Sequence, residues 1–317
     1  MAEAGEKARR ELVEGLRRPD KRISSKYHYD KRGSELFEKI TRLQEYYPTR
    51  TERALLEEWM PTWVAELRPA TLIELGAGNA EKSRVVLDAM AEHGSGAAYV
   101  PVDVSADFLA ATVRQLREEY PTLSITPAVA DITGPIDLPS NLPTPCWIAF
   151  LGSTLGNFEP KESVELLQRI ATQLGEDDRF LLGVDLRPGP HKSVERIELA
   201  YNDDAGVTVA FSLNVLNVLN RELGTDFRVE GFAHRSFYNA EMGRIETYLD
   251  SLCHQIVRIP DGPEIVFEEG EAVRTEISCK YDRATVDDLF ERAGLAVDQW
   301  VEDERGYYAL VLGTIGG

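Results

Sequence analysis

The sequence predicts an α/β fold in which a doubly wound, mostly parallel sheet ends in an antiparallel hairpin, beside a mixed α+β subdomain. Three observations carry this. From residue 70 to about residue 184, short apolar runs alternate with helical patterns. From residue 191 the alternation stops, and strand-like runs mix with a helix up to residue 281. The chain then closes on one helical pattern and two strand patterns joined by Glu304-Arg305-Gly306.

The elements follow in order. Residues 5–18 carry a helix with charged faces, and residues 34–66 carry helical apolar spacing. The latter breaks near Tyr47-Pro48, because a residue before proline avoids the helical region. Strands are expected at Thr71–Leu75, Ala98–Val104, Leu123–Ala130, Cys146–Leu151 and Phe180–Val184. In SADFLAATVRQLREEY, Leu109, Val113 and Leu116 share one face and Ser105 is placed to cap the start. In KESVELLQRIATQLG, Leu166, Leu167, Ile170 and Leu174 do the same, with Gly175 placed to close the helix. Strands alternating with helices make a parallel sheet covered on both faces. Beyond it, Leu213–Leu223 predicts a helix, and Ile245–Leu249, Gln255–Arg258 and Glu264–Phe267 predict strands. RATVDDLFERAG predicts the last helix, and LAVDQWVED with YYALVLGTI predicts the hairpin. A last strand running against the others departs from a plain nucleotide-binding sheet and fits a Rossmann-like class I methyltransferase sheet. Residues 56–190 and 282–317 are accordingly expected to form the cofactor domain, and residues 1–55 and 191–281 a substrate-binding, capping subdomain.

Composition narrows the chemistry. The 317 residues carry a net charge of −19, which repels phosphate backbones and anionic membranes, so neither nucleic acid nor membrane is an expected partner. The start, MAEAGEKARRELVEGLRR, has no apolar signal core, no run is long enough to span a bilayer, and a cytoplasmic monomer is expected. Cys146, Cys253 and Cys279 form no CxxC, and the five histidines form no HExxH spacing. Neither a disulfide scaffold nor a metal site is expected.

The stretch TLIELGAGNAEKS, Thr71 to Ser83, is where the backbone is expected to approach a ligand closely. A P-loop needs a second glycine directly before its Lys-Ser/Thr pair, and Lys82-Ser83 lacks it. A dinucleotide loop wants a third glycine where Glu81 stands, and Glu81 would face a pyrophosphate with a negative charge. S-adenosylmethionine has no phosphates and carries a sulfonium cation, which suits Glu74 in the preceding strand. Gly76 and Gly78 let the backbone approach. Asp103 ends the next strand, placed for the ribose hydroxyls, and Asp131 ends the third, placed for the adenine amine. All three carboxylates sit on the edge where doubly wound sheets bind ligands. Gly152-Ser153-Thr154-Leu155-Gly156 has the spacing of a hydrolase nucleophile elbow, but no histidine follows in a triad-like context.

Beyond the glycine loop lie YHYDKRGSELFEKITRLQEYYPTRTE, FLGSTLGNFEP, YNDDAGVTVAFSLNVLNVLNRELG and TEISCKY. In these blocks, and from about Tyr27 to the end, the chain resembles the bacterial histidine-specific N-alpha-methyltransferases that begin ergothioneine biosynthesis by trimethylating L-histidine to hercynine. A related fungal branch methylates tryptophan-derived substrates. The resemblance implies that Tyr29, Gly76, Lys82, Asp103 and Asp131 contact S-adenosyl-L-methionine, which leaves as S-adenosyl-L-homocysteine. It implies that Tyr46 sits beside the substrate amine, that Asn157 and Tyr201 hold the carboxylate, and that Glu276 and Ser278 grip the imidazole. Gly152 would lie where the two ligands meet. Thr247 stands where the family has a bulkier methionine. Tyr46 is the expected catalytic residue, acting by positioning, because an ordinary tyrosine is a poor base at neutral pH. Alternation puts Glu276 and Ser278 on one face of a strand. Asn157 could also serve merely as a cap for the helix starting near Pro160.

Overall fold

The computed structural model describes residues 2–134, 138–139 and 141–316. The chain forms two compact units, Met1–Tyr46 with Val194–Ser278, and Tyr47–Ser193 with Cys279–Gly317, and passes from one to the other three times.

In chain order the elements are α1 (Ala2–Leu16), α2 (Lys31–Thr41), α3 (Pro48–Leu67), β1 (Thr71–Leu75), α4 (Glu81–Glu92), β2 (Ala98–Asp103) and α5 (Ala106–Glu119). Two short strands follow, β3 (Ser124–Ile125) and β4 (Ala128–Val129), then β5 (Cys146–Phe150), α6 (Pro160–Ala171), β6 (Arg179–Asp185), α7 (Val194–Leu199) and α8 (Val207–Leu223). The chain ends with β7 (Phe232–Asn239), β8 (Arg244–Ser251), β9 (Gln255–Arg258), β10 (Glu264–Phe267), β11 (Ala272–Cys279), α9 (Arg283–Ala293), β12 (Leu295–Glu302) and β13 (Tyr308–Ile315).

The second unit is built on one sheet of order β12-β13-β6-β5-β1-β2-β3, with β4 also paired to β2. Strands β6, β5, β1, β2 and β3 run parallel, and β13 lies antiparallel between β6 and β12. This is the mostly parallel sheet with a terminal hairpin expected of a class I methyltransferase. Successive strand residues face opposite sides. Ile73, Val100, Ile148 and Leu182 pack with α6 and α9, whereas Leu72, Tyr99, Trp147 and Leu181 pack with α3, α4 and α5. Both faces are therefore buried, and the strands read as near-continuous apolar runs.

The first unit packs α1 and α8 with a three-stranded sheet, β11-β8-β7, and the β9-β10 hairpin around Leu12, Leu216, Leu219, Leu249, Val257 and Phe267. The strand β7 and the helix α7 complete the segment that the sequence marked only as mixed, and β11 is the strand expected to carry Glu276 and Ser278.

Several local expectations need correction. The single strand expected at Leu123–Ala130 is two short strands, because Pro127 between them has no N–H for the ladder. Ser105 stands at the N-cap of α5 but its side chain makes no capping bond; its own N–H donates to Asp103 Oδ1 at 2.9 Å. Helix α6 ends at Ala171, four residues before Gly175, whose N–H donates to Asp178 Oδ2 at 2.8 Å. Helix α8 begins at Val207, where the carboxylate of Asp203 accepts the N–H groups of Val207 and Thr208 at 2.8 and 2.7 Å. Pro48 opens α3 at the first helical position, which needs no N–H there.

Candidate active site

The glycine loop leaves the C-terminal end of β1, the edge on which parallel sheets hold ligands. Gly76 and Gly78 have φ of +75° and +52°, a left-handed region that favours glycine. Strand β2 pins them: the N–H groups of Gly76 and Ala77 donate to Val102 O at 2.8 and 3.0 Å, and Gly78 N–H donates to Asp103 Oδ2 at 2.9 Å. Thr112 of α5 donates to Gly78 O at 3.0 Å. A Cβ added at Gly76 or Gly78 would meet no atom within 4 Å, so there is open space beside the loop for a ligand. Asp103 thus does two jobs at once: it ends β2 and braces the glycine loop. Asp131 lies two residues past β4, exposed, with Oδ1 accepting from Thr133 N–H and Oγ1 at 2.9 and 2.6 Å.

Glu74 does not face that open space. It is buried, and its carboxylate accepts from Tyr99 at 2.5 Å and from Ser83. Burial pushes its carboxyl up to about 7, against the opposing effect of those two hydroxyls. Its visible work is to tie β1 to β2 and α4.

Lys82 and Gly152 meet on a residue that the sequence reading missed. Glu52 of α3 is fully buried, accepts from Lys82 Nζ at 2.6 Å and from Tyr308 at 2.8 Å, and receives Gly152 N–H at 2.8 Å. Gly183 lies against it, so a Cβ there would overlap Glu52 Oε1. Gly152 has a φ of +80°, and a Cβ on it would come within 2.9 Å of Lys82 Nζ. The only sequence signal for Glu52 was an acid among apolar positions of a helical run, just after the EYYP block.

Asn157 ends a short 3-10 turn, Thr154–Asn157, after β5. It does not cap α6. That position belongs to Glu159, whose N–H donates to Glu162 Oε2 at 2.9 Å. Asn157 is half-buried, and its amide makes no hydrogen bond to a described residue, so it stays available to a ligand. The neighbouring Gly156 has to be glycine, since a Cβ would lie 2.8 Å from Cys279 O. In the hydrolase-like stretch, Thr154 donates its hydroxyl to Leu151 O at 2.8 Å, a loop-closing bond.

The first unit brings together Tyr46, Tyr201 and Ser278. The rings of Tyr46 and Tyr201 meet edge-on with centroids 6.5 Å apart, and Tyr201 donates its hydroxyl to Ser278 Oγ at 2.8 Å. All three are buried. Tyr201 is held from behind by His234, whose Nε2 lies 3.1 Å from Tyr201 O. Glu276 is half-buried, two residues before Ser278 on β11. Tyr29 also belongs to this unit, unlike the other cofactor candidates, and stands edge-on to Phe37 and Phe211 at 5.8 and 5.6 Å. The segment carrying it is anchored by Asp30, which accepts from Gly33 N–H at 2.7 Å and Asn214 Nδ2 at 2.8 Å. Thr247 is buried on β8 with its hydroxyl 3.1 Å from that of Ser236.

Among the described residues no cluster of His, Cys, Asp or Glu could hold a metal ion, and no helix is long and apolar enough to cross a membrane. The donor set therefore consists of a glycine loop braced by carboxylates in one unit, and hydroxyls with a carboxylate in the other. The first suits a cationic, phosphate-free cofactor; the second suits a small ligand with both donor and acceptor groups.

Residues 8–314 match the model of a family described as histidine-specific methyltransferase, SAM-dependent. The chain is similar to the histidine N-alpha-methyltransferase of Mycobacterium tuberculosis, 39% identical over 306 residues that span 96% of this chain and 94% of that protein. It is 31% identical, over 86% of its own length, to 31% of the ergothioneine biosynthesis protein 1 of Neurospora crassa. The L-tryptophan methyltransferase of Psilocybe serbica is 29% identical over 95% of this chain and 90% of that protein.

Proposed function

Because this chain belongs to the family of histidine-specific, S-adenosylmethionine-dependent methyltransferases, we propose that it trimethylates the alpha-amine of L-histidine to hercynine, the first step of ergothioneine biosynthesis. Gly76, Lys82, Asp103, Asp131 and Tyr29 would hold the cofactor. When bound, S-adenosylmethionine supplies an electrophilic methyl group on a sulfonium sulfur. The open space beside Gly76 and Gly78 supports the fit, and the Lys82 ammonium that follows the loop is neutralised by Glu52.

The protein's own task is alignment and water exclusion, since an amine needs no further activation once it is neutral. Tyr46, buried beside Tyr201, offers the amine a hydrogen bond and an aromatic wall that favours positive charge on the nitrogen. Asn157 and Tyr201 would orient the carboxylate. Glu276 would accept the imidazole N–H, and Ser278 would donate to the other ring nitrogen.

The observation that carries the substrate is the Tyr201–Ser278 hydroxyl pair with Glu276 two residues before Ser278 on β11. Imidazole offers both an acceptor and a donor, so it can pair with a hydroxyl and a carboxylate together; indole offers only a donor. The test is mass spectrometry of the protein with S-adenosylmethionine and an equimolar mixture of the twenty amino acids. Histidine alone should gain three methyl groups, with S-adenosylhomocysteine formed in proportion. Methylation of tryptophan instead would overturn the assignment of Glu276 and Ser278.

A further inference from the structure

Asp185, at the C-terminal end of β6, is the centre of a buried ionic cluster for which the reaction has no direct use. Its carboxylate accepts from the Tyr47 hydroxyl at 2.9 Å, from Lys192 Nζ at 2.5 Å and from Lys280 Nζ at 2.7 Å. Asp185, Lys192 and Lys280 are each at most 2% exposed, so the cluster is dry. Tyr307 completes it: its ring stands edge-on to Tyr47 at 5.2 Å, its carbonyl accepts from Lys192 at 2.8 Å, and Lys192 lies 4.9 Å from the Tyr47 ring centre. Two buried ammonium groups on one carboxylate leave a net positive charge out of water, which is costly unless each hydrogen is bonded. Lys192 meets that demand with Leu186 O and Tyr307 O. Burial pushes its ammonium down to about 8, against the pull of Asp185. The Asp185 carboxyl stands below its usual range: burial raises it, and the two lysines more than offset that.

The three partners are not scattered along the chain. The chain changes unit after Tyr46, after Ser193 and after Ser278. Tyr47 follows the first crossing directly, Lys192 stands one residue before the end of the second segment, and Lys280 follows the third by two residues. One carboxylate therefore holds a side chain from every crossing. Two of these crossings begin at residues proposed for the substrate, Tyr46 and Ser278. A desolvated ion cluster costs stability compared with an apolar core, and a geometric role is the best-attested reason to keep one.

We propose that Asp185 is a positioning residue: through Tyr47 and Lys280 it fixes the points at which the chain leaves for Tyr46 and Ser278, and so sets the substrate-binding geometry without touching substrate. The kinetic part rests on the functional reading above; the positional part does not.

Hydrogen–deuterium exchange of Tyr47→Phe, Lys280→Met and Asp185→Asn against the unaltered protein separates the two. Tyr47→Phe keeps the ring and removes one hydrogen bond. It should speed exchange at residues 43–46 and not at 276–278. Lys280→Met should do the reverse, and Asp185→Asn should do both. Exchange at the glycine loop, residues 76–83, should stay as it was. In the same proteins the histidine KM should rise at least fivefold while the affinity for S-adenosylmethionine stays within twofold. A uniform rise in exchange throughout, or no change at either segment in a folded Tyr47→Phe and Lys280→Met, overturns the proposal. Asp185→Asn that fails to fold leaves the decision to the other two. If the split appears but the unaltered protein methylates no histidine, the positional inference stands and the functional reading falls.

Discussion

Tyr201 and Ser278, 77 residues apart in the chain, share a buried hydroxyl–hydroxyl hydrogen bond of 2.8 Å. Each hydroxyl helps to place the other. Tyr201→Phe and Ser278→Ala should each raise the histidine KM about tenfold, the loss of roughly one hydrogen bond of 1.4 kcal/mol. The double substitution should fall well short of the product of the two, because the sites are coupled. Strict multiplication of the two effects in steady-state kinetics would show that the two hydroxyls work independently of each other.

On the proposed assignment, Glu276 would carry the ring selectivity. Glu276→Ala should raise the histidine KM more than tenfold, since hydrogen bonds to a charged group contribute roughly 1.5–3 kcal/mol. The cofactor, held by other residues, should bind as before by calorimetric titration. Unaltered histidine kinetics would remove Glu276 from the site.

Glu52 would be the counterpart on the proposed cofactor side, through its ion pair with Lys82. Glu52→Gln leaves Lys82 without its anion, a loss on the order of 3 kcal/mol when the remaining charge stays partly buried. Lys82 is one-fifth exposed and the carboxylate is fully buried, so part of that loss is relieved by water. We expect a lower urea midpoint and weaker S-adenosylmethionine binding. Unchanged cofactor affinity in a destabilised protein would make the Glu52–Lys82 pair purely structural.

Glu74 should give the protein a pH-dependent stability. Its folded carboxyl is raised to about 7 from an ordinary 4.5. Between those two values the folded state binds more protons than the unfolded state, so this contribution is full below pH 4.5 and is lost as the pH rises through 7. The loss is on the order of 3 kcal/mol. His28 slopes the other way: burial lowers its ring to about 4, so its contribution improves as the pH rises from 4 towards 6.5. Glu74→Gln isolates the first effect. Urea unfolding at pH 5 and pH 7.5 should show the variant gaining relative to the unaltered protein at the higher pH. Equal differences at both would place the Glu74 carboxyl in its ordinary range.

The parallel strands β1, β2, β5 and β6, the glycine loop between β1 and α4, and the closing hairpin were legible in the sequence. Each is local: a run of apolar residues, a pair of glycines, a proline before a helix. The short β3 and β4, the early end of α6 and the strand β7 were misread or missed, because a neighbouring proline, a side-chain bond or a sheet partner decided them.

Asp103 shows the division well. The sequence placed it at the end of a strand, and only the fold revealed that its two oxygens receive Gly78 and Ser105. Asp185 was not legible at all, and Glu52 only as an acid within a helical run. Each gathers partners from positions 100 or more residues away, Gly152 and Tyr308 for one and Tyr47 for the other. Periodicity encodes which way a side chain faces along its own helix or strand. It carries no record of which distant donor will meet it, because that pairing exists only once the chain has folded and water has left.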